Sequence, residues 1–298
     1  MKFDRIGFIG YGEVGKILAA GLKDKASAIL VWDLKFDCPD QREEQLAHAD
    51  RAGVQACTSL EQLCGGADLV ISAVTASNTL AVAEGAAAHL RPGSVFLDPN
   101  SASPGTKREA ARLIEASGSH YVEAGVMTSV PPYGIRVPML LGGRRAAELA
   151  GLLTSWGMDV KVVSEQVGVA SAVKMCRSVM IKGLEALVIE SYATARAYGV
   201  EDQVLPTLVE TFPSIDWDAQ GGYFFSRVVQ HGKRRAEEMR EAANTVREAG
   251  FEPFMSAAIA DKQQWVADQA QADLFAGLGQ DARWQDYADR LIAKFPRS

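Results

Sequence analysis

Near its start the chain runs from an apolar stretch, Ile6–Ile9, straight into Gly10-Tyr-Gly12-Glu13-Val14-Gly15, and a helical pattern extends from Glu13 to Lys23. Strand, then G-x-G-x-x-G, then helix is an order that few folds admit. Gly10 permits a tight turn, Gly12 presents backbone without a Cβ, and Gly15 lets a helix lie close against a strand. The helix start, Glu13 and Val14 included, offers N–H groups and partial positive charge to a pyrophosphate. Asp33 closes a second apolar run, Ala28–Asp33, 18 residues after Gly15. A carboxylate at that point accepts hydrogen bonds from a ribose 2′-hydroxyl and repels a 2′-phosphate. The plain alternative is a strand-end cap; the surrounding fingerprint favours the ribose. The expected cofactor is therefore NAD. Lys35 is close enough to soften that selectivity, so NADP stays open.

The apolar runs recur. Leu69–Val74 and Ser94–Asp98 come at similar intervals, with helical spacing in Ser77–Leu90 between them. Short apolar strands alternating with helices indicate a parallel sheet covered on both faces. Val74 and Thr75, at the end of the third run, join Gly10, Gly12, Glu13, Val14, Gly15 and Asp33 as candidate cofactor-binding residues. His120–Gly125, Val137–Leu141 and Asp159–Val163 read as further strands of the same sheet, with a turn-rich loop at Val130-Pro-Pro-Tyr-Gly134. Past Val163 the pattern changes. Val167–Tyr198 contains no proline, which predicts a helix of roughly 30 residues, about 45 Å long. Everything beyond reads as helix: Glu201–Thr211, Gly222–Gly250, Pro253–Ala270 and Ala282–Phe295. The expected fold is α/β: a doubly wound Rossmann sheet over residues 1–165, then over 166–298 a long interdomain helix and an all-α domain.

A net charge of −6 does not suit non-specific binding to nucleic acid or anionic membranes, which needs a basic surface. Cys38, Cys57, Cys64 and Cys176 form no C-x-x-C pair and have no histidine cluster beside them, so neither a metal site nor a disulfide framework is expected. Free thiols in a reducing cytoplasm are the simplest reading. The first residues lack the apolar core of a signal peptide, and no run of about 20 apolar residues predicts a membrane span.

With the glycine turn, three further segments carry a resemblance: Asp98-Pro-Asn-Ser-Ala-Ser-Pro104, Glu123-Ala-Gly-Val-Met-Thr-Ser129 with Leu141-Gly-Gly143, and Gly168-Val-Ala-Ser-Ala-Val-Lys174. Together they resemble the 6-phosphogluconate / β-hydroxyacid dehydrogenase superfamily over most of the chain. KGLEAL and HGKRRAEEM in the second half are similar to a divergent branch of it. The resemblance implies a Rossmann domain, a long interdomain helix and a helical domain that builds a homodimer or higher oligomer. It also implies a small-molecule substrate and catalysis by Lys174. In the family, that lysine moves a proton on the substrate oxygen while hydride moves to or from the nicotinamide. A lysine suits that task once burial or a nearby cation lowers its pKa. Asn100 and Ser101 are the implied substrate contacts of the first segment, while Ser103 before Pro104 reads as a helix cap. The family's S-G-G is replaced by Met127-Thr128-Ser129. Thr128 and Ser129 are thus the candidate carboxylate contacts, in a loop whose bulk changes the space and points to a substrate larger than a simple β-hydroxy acid. Ser178 stands where the family has Asn, four residues after Lys174 and on its helix face; Lys182 continues that face.

In the second half, His231-Gly-Lys-Arg234-Arg235 concentrates positive charge. The resemblance puts a substrate-side lysine at position 237, where Glu237 stands. His231, Arg234 or Arg235 are candidates to replace it. An exposed basic face paired with Glu237, Glu238 and Glu241 is the equal alternative. Phe212, Trp217, Tyr223, Phe224 and Phe225 gather around Gly221-Gly222, read as a turn, mostly as core with some lining an apolar pocket. An NAD(P)-dependent oxidoreductase is the leading reading. The alternatives are a lyase that breaks a C–C bond in retro-aldol fashion and a non-catalytic NAD(H) sensor.

Overall fold

The computed structural model describes residues 2–279 and 281–295. The chain divides into two compact units, Met1–Met175 and Cys176–Ser298.

The first unit is a single sheet of eight strands: β1 (Arg5–Ile9), β2 (Ala28–Trp32), β3 (Gln55–Ala56), β4 (Leu69–Ser72), β5 (Val95–Asp98), β6 (His120–Val126), β7 (Met139–Gly142) and β8 (Val160–Ser164). Their order is β3-β2-β1-β4-β5-β6-β7-β8. The order reverses between β1 and β4, which opens a crevice at the carboxyl ends of those strands. Helices α1 (Glu13–Gly21), α2 (Pro39–Ala52), α3 (Leu60–Gly66), α4 (Thr79–Ala87), α5 (Pro104–Ala116) and α6 (Ala146–Ser155) connect them. Alternation along β1 feeds two separate cores. Ile6 and Phe8 pack with Leu18, Val31 and Leu149 on one face; Ile9 packs with Leu63, Val70 and Phe96 on the other. A sheet buried on both faces explains why its strands read as unbroken apolar runs.

Two features differ from the sequence expectation. The sheet is not wholly parallel: β7 runs antiparallel to β6, with Glu123 opposite Gly142 and Val126 opposite Met139. The connection between them contains no helix, only turns and a short 3₁₀ segment at Gly134–Arg136, and so does not cross over to a parallel neighbour. In addition, β3, α2, α3 and α6 lie where no element was expected. Strand β3 is two residues long, below what periodicity resolves. Helix α2 buries only Gln45 and Ala49, so its apolar stripe is faint.

Helix α7 (Val169–Tyr198) has 30 residues, as its composition predicts. It is followed by α8 (Glu201–Thr211), α9 (Trp217–Glu248), α10 (Phe254–Gln271) and α11 (Trp284–Lys294), so the second unit is all-α. Gly221-Gly222 is not a turn but lies inside α9. A Cβ on Gly221 would sit 2.7 Å from the Tyr192 ring and 2.9 Å from Trp284. The glycine is there for close packing around the fully buried Trp284, whose ring meets Tyr192 edge-on at 4.9 Å. Trp217, Phe224 and Phe225 join that core. Phe212 and Tyr223, grouped with them from sequence, are more than half exposed.

Candidate active site

The glycine turn sits at the crevice between β1 and β4. Gly10 has φ +94°, and a Cβ on it would press into the Ala73 carbonyl oxygen. Gly12 is different. Its φ of −80° and ψ of −161° suit any residue, yet beyond its own chain neighbours no described protein atom lies within 4 Å of where its Cβ would be. That vacant cradle is what close approach of a pyrophosphate requires. A Cβ on Gly15 would collide with the Gly10 carbonyl oxygen, so α1 packs against the turn only because Gly15 has none. No side chain caps α1, and its leading N–H groups suit an anion. Glu13 is exposed and Val14 half-buried on this first turn. The residues present therefore fit a bound dinucleotide.

Asp33 comes directly after β2. One of its carboxylate oxygens accepts the Tyr11 N–H at 2.6 Å and the other the Lys35 N–H at 2.9 Å. Each oxygen has a second lone pair, so bracing the turn and binding a ribose are compatible. Tyr11 was not singled out from sequence. Its side chain is buried, its hydroxyl lies 3.0 Å from His48 Nδ1, and its ring meets Phe36 edge-on. A large aromatic between two glycines was the available signal.

Beyond β5 the chain enters a buried polar network. Lys107 Nζ, from α5, lies 2.9 Å from Asp98 Oδ1 and donates to the Asp98 carbonyl at 2.8 Å. Tyr121 donates its hydroxyl to Asp98 Oδ2 at 2.6 Å, and the Asn100 N–H donates to Oδ1 at 3.0 Å. Burial and the neighbouring Asp98 carboxylate push the Tyr121 hydroxyl well above its ordinary pKa, so it stays a donor. Asn100 is itself engaged: its Oδ1 accepts the Val74 N–H and its Nδ2 donates to Ser72 Oγ, both at 2.9 Å. It is only 5% exposed. The Asn100 side chain thus joins the β5 loop to the Val74 segment. Thr75, next along, is exposed and accepts from Asn78 Nδ2 at 2.9 Å. Ser103 caps α5 by accepting the Thr106 N–H at 3.2 Å, with Pro104 in the first turn.

Removing the cation from this network should be costly, because a lone buried carboxylate is poorly tolerated. Lys107→Met is expected to destabilise the protein by about 3 kcal/mol. Urea denaturation against the native chain measures it.

Ser101 comes next, and onto it Lys174 projects from α7: Nζ donates to Ser101 Oγ at 2.5 Å. Gly125 makes the approach possible, since a Cβ there would meet the Ala170 carbonyl at 2.9 Å and Lys174 Cβ at 3.5 Å. Lys174 is half-buried, in keeping with its apolar surroundings in sequence. Thr128, exposed, and Ser129, half-buried, lie just past the carboxyl end of β6, where the Met127 N–H closes the loop onto the Pro138 carbonyl at 2.9 Å. Cys57 and Cys64 offer no nucleophile, because burial pushes their thiols up to about 11 and about 12.

In the second unit, Ser178 is buried one turn after Lys174 on the same helix. Lys182 Nζ lies 2.6 Å from Glu238 Oε2. The basic cluster is split. Arg235 is buried and donates to both carboxylate oxygens of Glu185. Arg234 is exposed and lies 3.8 Å from Glu238, four residues on. His231 is half-buried. Among the described residues no helix is long and apolar enough to cross a membrane.

Residues 5–167 match the NAD binding domain of 6-phosphogluconate dehydrogenase. The chain belongs to the 6-phosphogluconate / β-hydroxyacid dehydrogenase superfamily. As a member it is an NAD(P)-dependent oxidoreductase. Residues 195–266 also match a domain of unknown function, DUF1932. Among relatives, an uncharacterized 28.5 kDa protein of Methanothermus fervidus is 30% identical over 84% of this chain and 94% of its own length. An NAD-dependent L-serine dehydrogenase of Pseudomonas aeruginosa is 26% identical over 72% of this chain and 71% of its own. Of solved structures, a conserved hypothetical protein from Sinorhizobium meliloti 1021 is 39% identical, with a TM-score of 0.77 over 97% of this chain and 96% of that one. Mycobacterium tuberculosis 3-hydroxyisobutyrate dehydrogenase shares the fold, at 17% identity and a TM-score of 0.65 over 98% and 99%.

Proposed function

We propose that this superfamily member is an NAD-dependent dehydrogenase that interconverts a hydroxyl-bearing carbon and its carbonyl in a hydroxy acid larger than the simplest β-hydroxy acids. The observation that carries the reading is the 2.5 Å contact from Lys174 Nζ to Ser101 Oγ, which joins two segments 73 residues apart. Ser101 and Lys174 then flank the substrate hydroxyl. A dinucleotide held by the Gly10–Gly15 turn and Asp33 would supply hydride transfer to and from the hydroxyl-bearing carbon. In the oxidative direction Lys174 takes the hydroxyl proton as the C–H hydride leaves; in reduction it returns that proton. Thr128 and Ser129 contact the substrate carboxylate, and their bulk relative to glycine is the reason for expecting a larger acid. Asn100 acts indirectly, by tying the Ser101 loop to Val74 and the cofactor side. A screen of hydroxy acids monitored at 340 nm tests the proposal. Aldehyde release without net change in NADH would instead identify the retro-aldol reaction, and neither signal would leave a sensor.

Asp33 sets the choice of dinucleotide. NADH is expected to bind at least tenfold more tightly than NADPH, about 1.4 kcal/mol, because a 2′-phosphate would face this carboxylate. Fluorescence titration with both reduced cofactors measures it, and tighter binding of NADPH would overturn it.

A further inference from the structure

Lys174 lies on α7 and Ser101 in the loop after β5, and each segment is tied to a buried carboxylate on one of two neighbouring strands. Asp98 on β5 and Glu123 on β6 are partners in the sheet register, and both are fully buried. Asp98 holds the Ser101 loop through the Asn100 N–H. Glu123 holds α7: Oε1 accepts the N–H groups of Gly168 at 2.7 Å and Ala170 at 3.0 Å, and Oε2 accepts that of Ser171 at 3.2 Å. Gly168, just before the helix, has φ +106° and no side chain with which to cap it. The acceptor for the orphan N–H groups therefore comes from a strand 45 residues earlier. A local cap would finish a helix; this one also fixes the helix to the sheet. The seat is cut to fit. A Cβ on Gly142, opposite Glu123 on β7, would lie 2.6 Å from Glu123 Oε1.

We infer that Glu123 is a positioning residue: it sets where α7 begins against β6 and so holds Lys174 Nζ on Ser101. This rests on the catalytic reading of Lys174. Lys174 lies three residues beyond the last N–H that Glu123 holds, on a continuous helix. Its distance from Ser101 is thus a distance between two anchored segments. A neutral amide cannot accept all three N–H groups, because one of its two ends is itself a donor.

Glu123→Gln is expected to lower kcat at least tenfold with the dissociation constant for NADH within twofold of the native value. Glu123→Asp, which keeps the carboxylate, should recover at least a third of the activity. A double-mutant cycle with Ser101→Ala should be non-additive, since both changes act on one amine. Trace labelling with acetic anhydride, read by mass spectrometry, supplies a measure independent of substrate: the labelling rate of Lys174 should change at least threefold in Glu123→Gln and return toward native in Glu123→Asp. Where Glu123→Gln does not fold, Gly142→Ala displaces the same carboxylate without changing its charge and should show the same two effects. Labelling and kcat both within twofold of native, or fully additive effects with Ser101→Ala, would reduce Glu123 to a structural cap. Altered labelling in a protein that turns over no hydroxy acid would overturn the dehydrogenase reading and leave the positioning of Lys174 standing.

Discussion

Lys174→Ala is expected to lower kcat by about a thousandfold, or about 4 kcal/mol of barrier, and to leave the dissociation constant for NADH within twofold of the native protein. General acid–base catalysis by a placed side chain contributes roughly 10² to 10⁴, and Lys174 is the group whose Nζ reaches the Ser101 hydroxyl. The proposed cofactor contacts come from another part of the sheet, the turn after β1 and Asp33 after β2, so binding should be spared. Stability is spared as well, because Lys174 is half-buried and truncation leaves no large void. Lys174→Arg is expected to be almost as inactive: a guanidinium keeps the charge but does not release its proton near neutral pH. Steady-state absorbance at 340 nm and a cofactor titration are the two measurements. Retained kcat in Lys174→Ala would remove the lysine from the mechanism.

Gly12→Val is expected to weaken NADH binding by about a hundredfold or more, near 2.8 kcal/mol, with Tm essentially unchanged. The two halves of that expectation have separate causes. The backbone at Gly12 is extended and suits a β-branched residue, and beyond its own chain neighbours no described protein atom stands within 4 Å of the added Cβ. The folded chain therefore loses nothing. The space the side chain enters is the cradle in which a pyrophosphate has to approach the backbone. Gly15→Ala separates the roles within one motif. Its methyl would land on the Gly10 carbonyl oxygen, so α1 must move, and Tm and cofactor binding are expected to fall together. Thermal denaturation beside a binding titration tells the two variants apart. A marked fall in Tm for Gly12→Val would show that its glycine serves packing rather than the ligand.

The motifs of the candidate site were legible because they are local. The glycine turn, Asp33 and the start of the long helix each need only a few consecutive residues to be recognised, and the turn has the tight geometry that Gly10 and Gly15 imply. The buried network was not legible. Lys107 sits in Pro104-Gly-Thr-Lys-Arg-Glu, where it reads like any surface lysine, and only the packing of α5 over β5 turns it inward onto Asp98. Glu123 was visible as the acid at the head of a motif, but its three N–H partners begin 45 residues away. Asn100 was expected to meet substrate; its amide is held by Val74 and Ser72. Gly221-Gly222 read as a turn because glycine pairs usually break helices. Contact with Tyr192 and Trp284 outweighs that propensity.

The sequence by itself determined the class of the first unit, its cofactor turn, the length of α7 and the all-helical character of the second unit. Each of these rests on periodicity or on a short run of backbone requirements, which neighbouring residues specify together. Only the tertiary structure decided the antiparallel β7, the inward turn of Lys107 and Arg235, and the meeting of Lys174 with Ser101. Those depend on which strand lies beside which. Burial then fixes a charge's partner, since a charge removed from water stays ionised only where an opposite charge or N–H groups already wait.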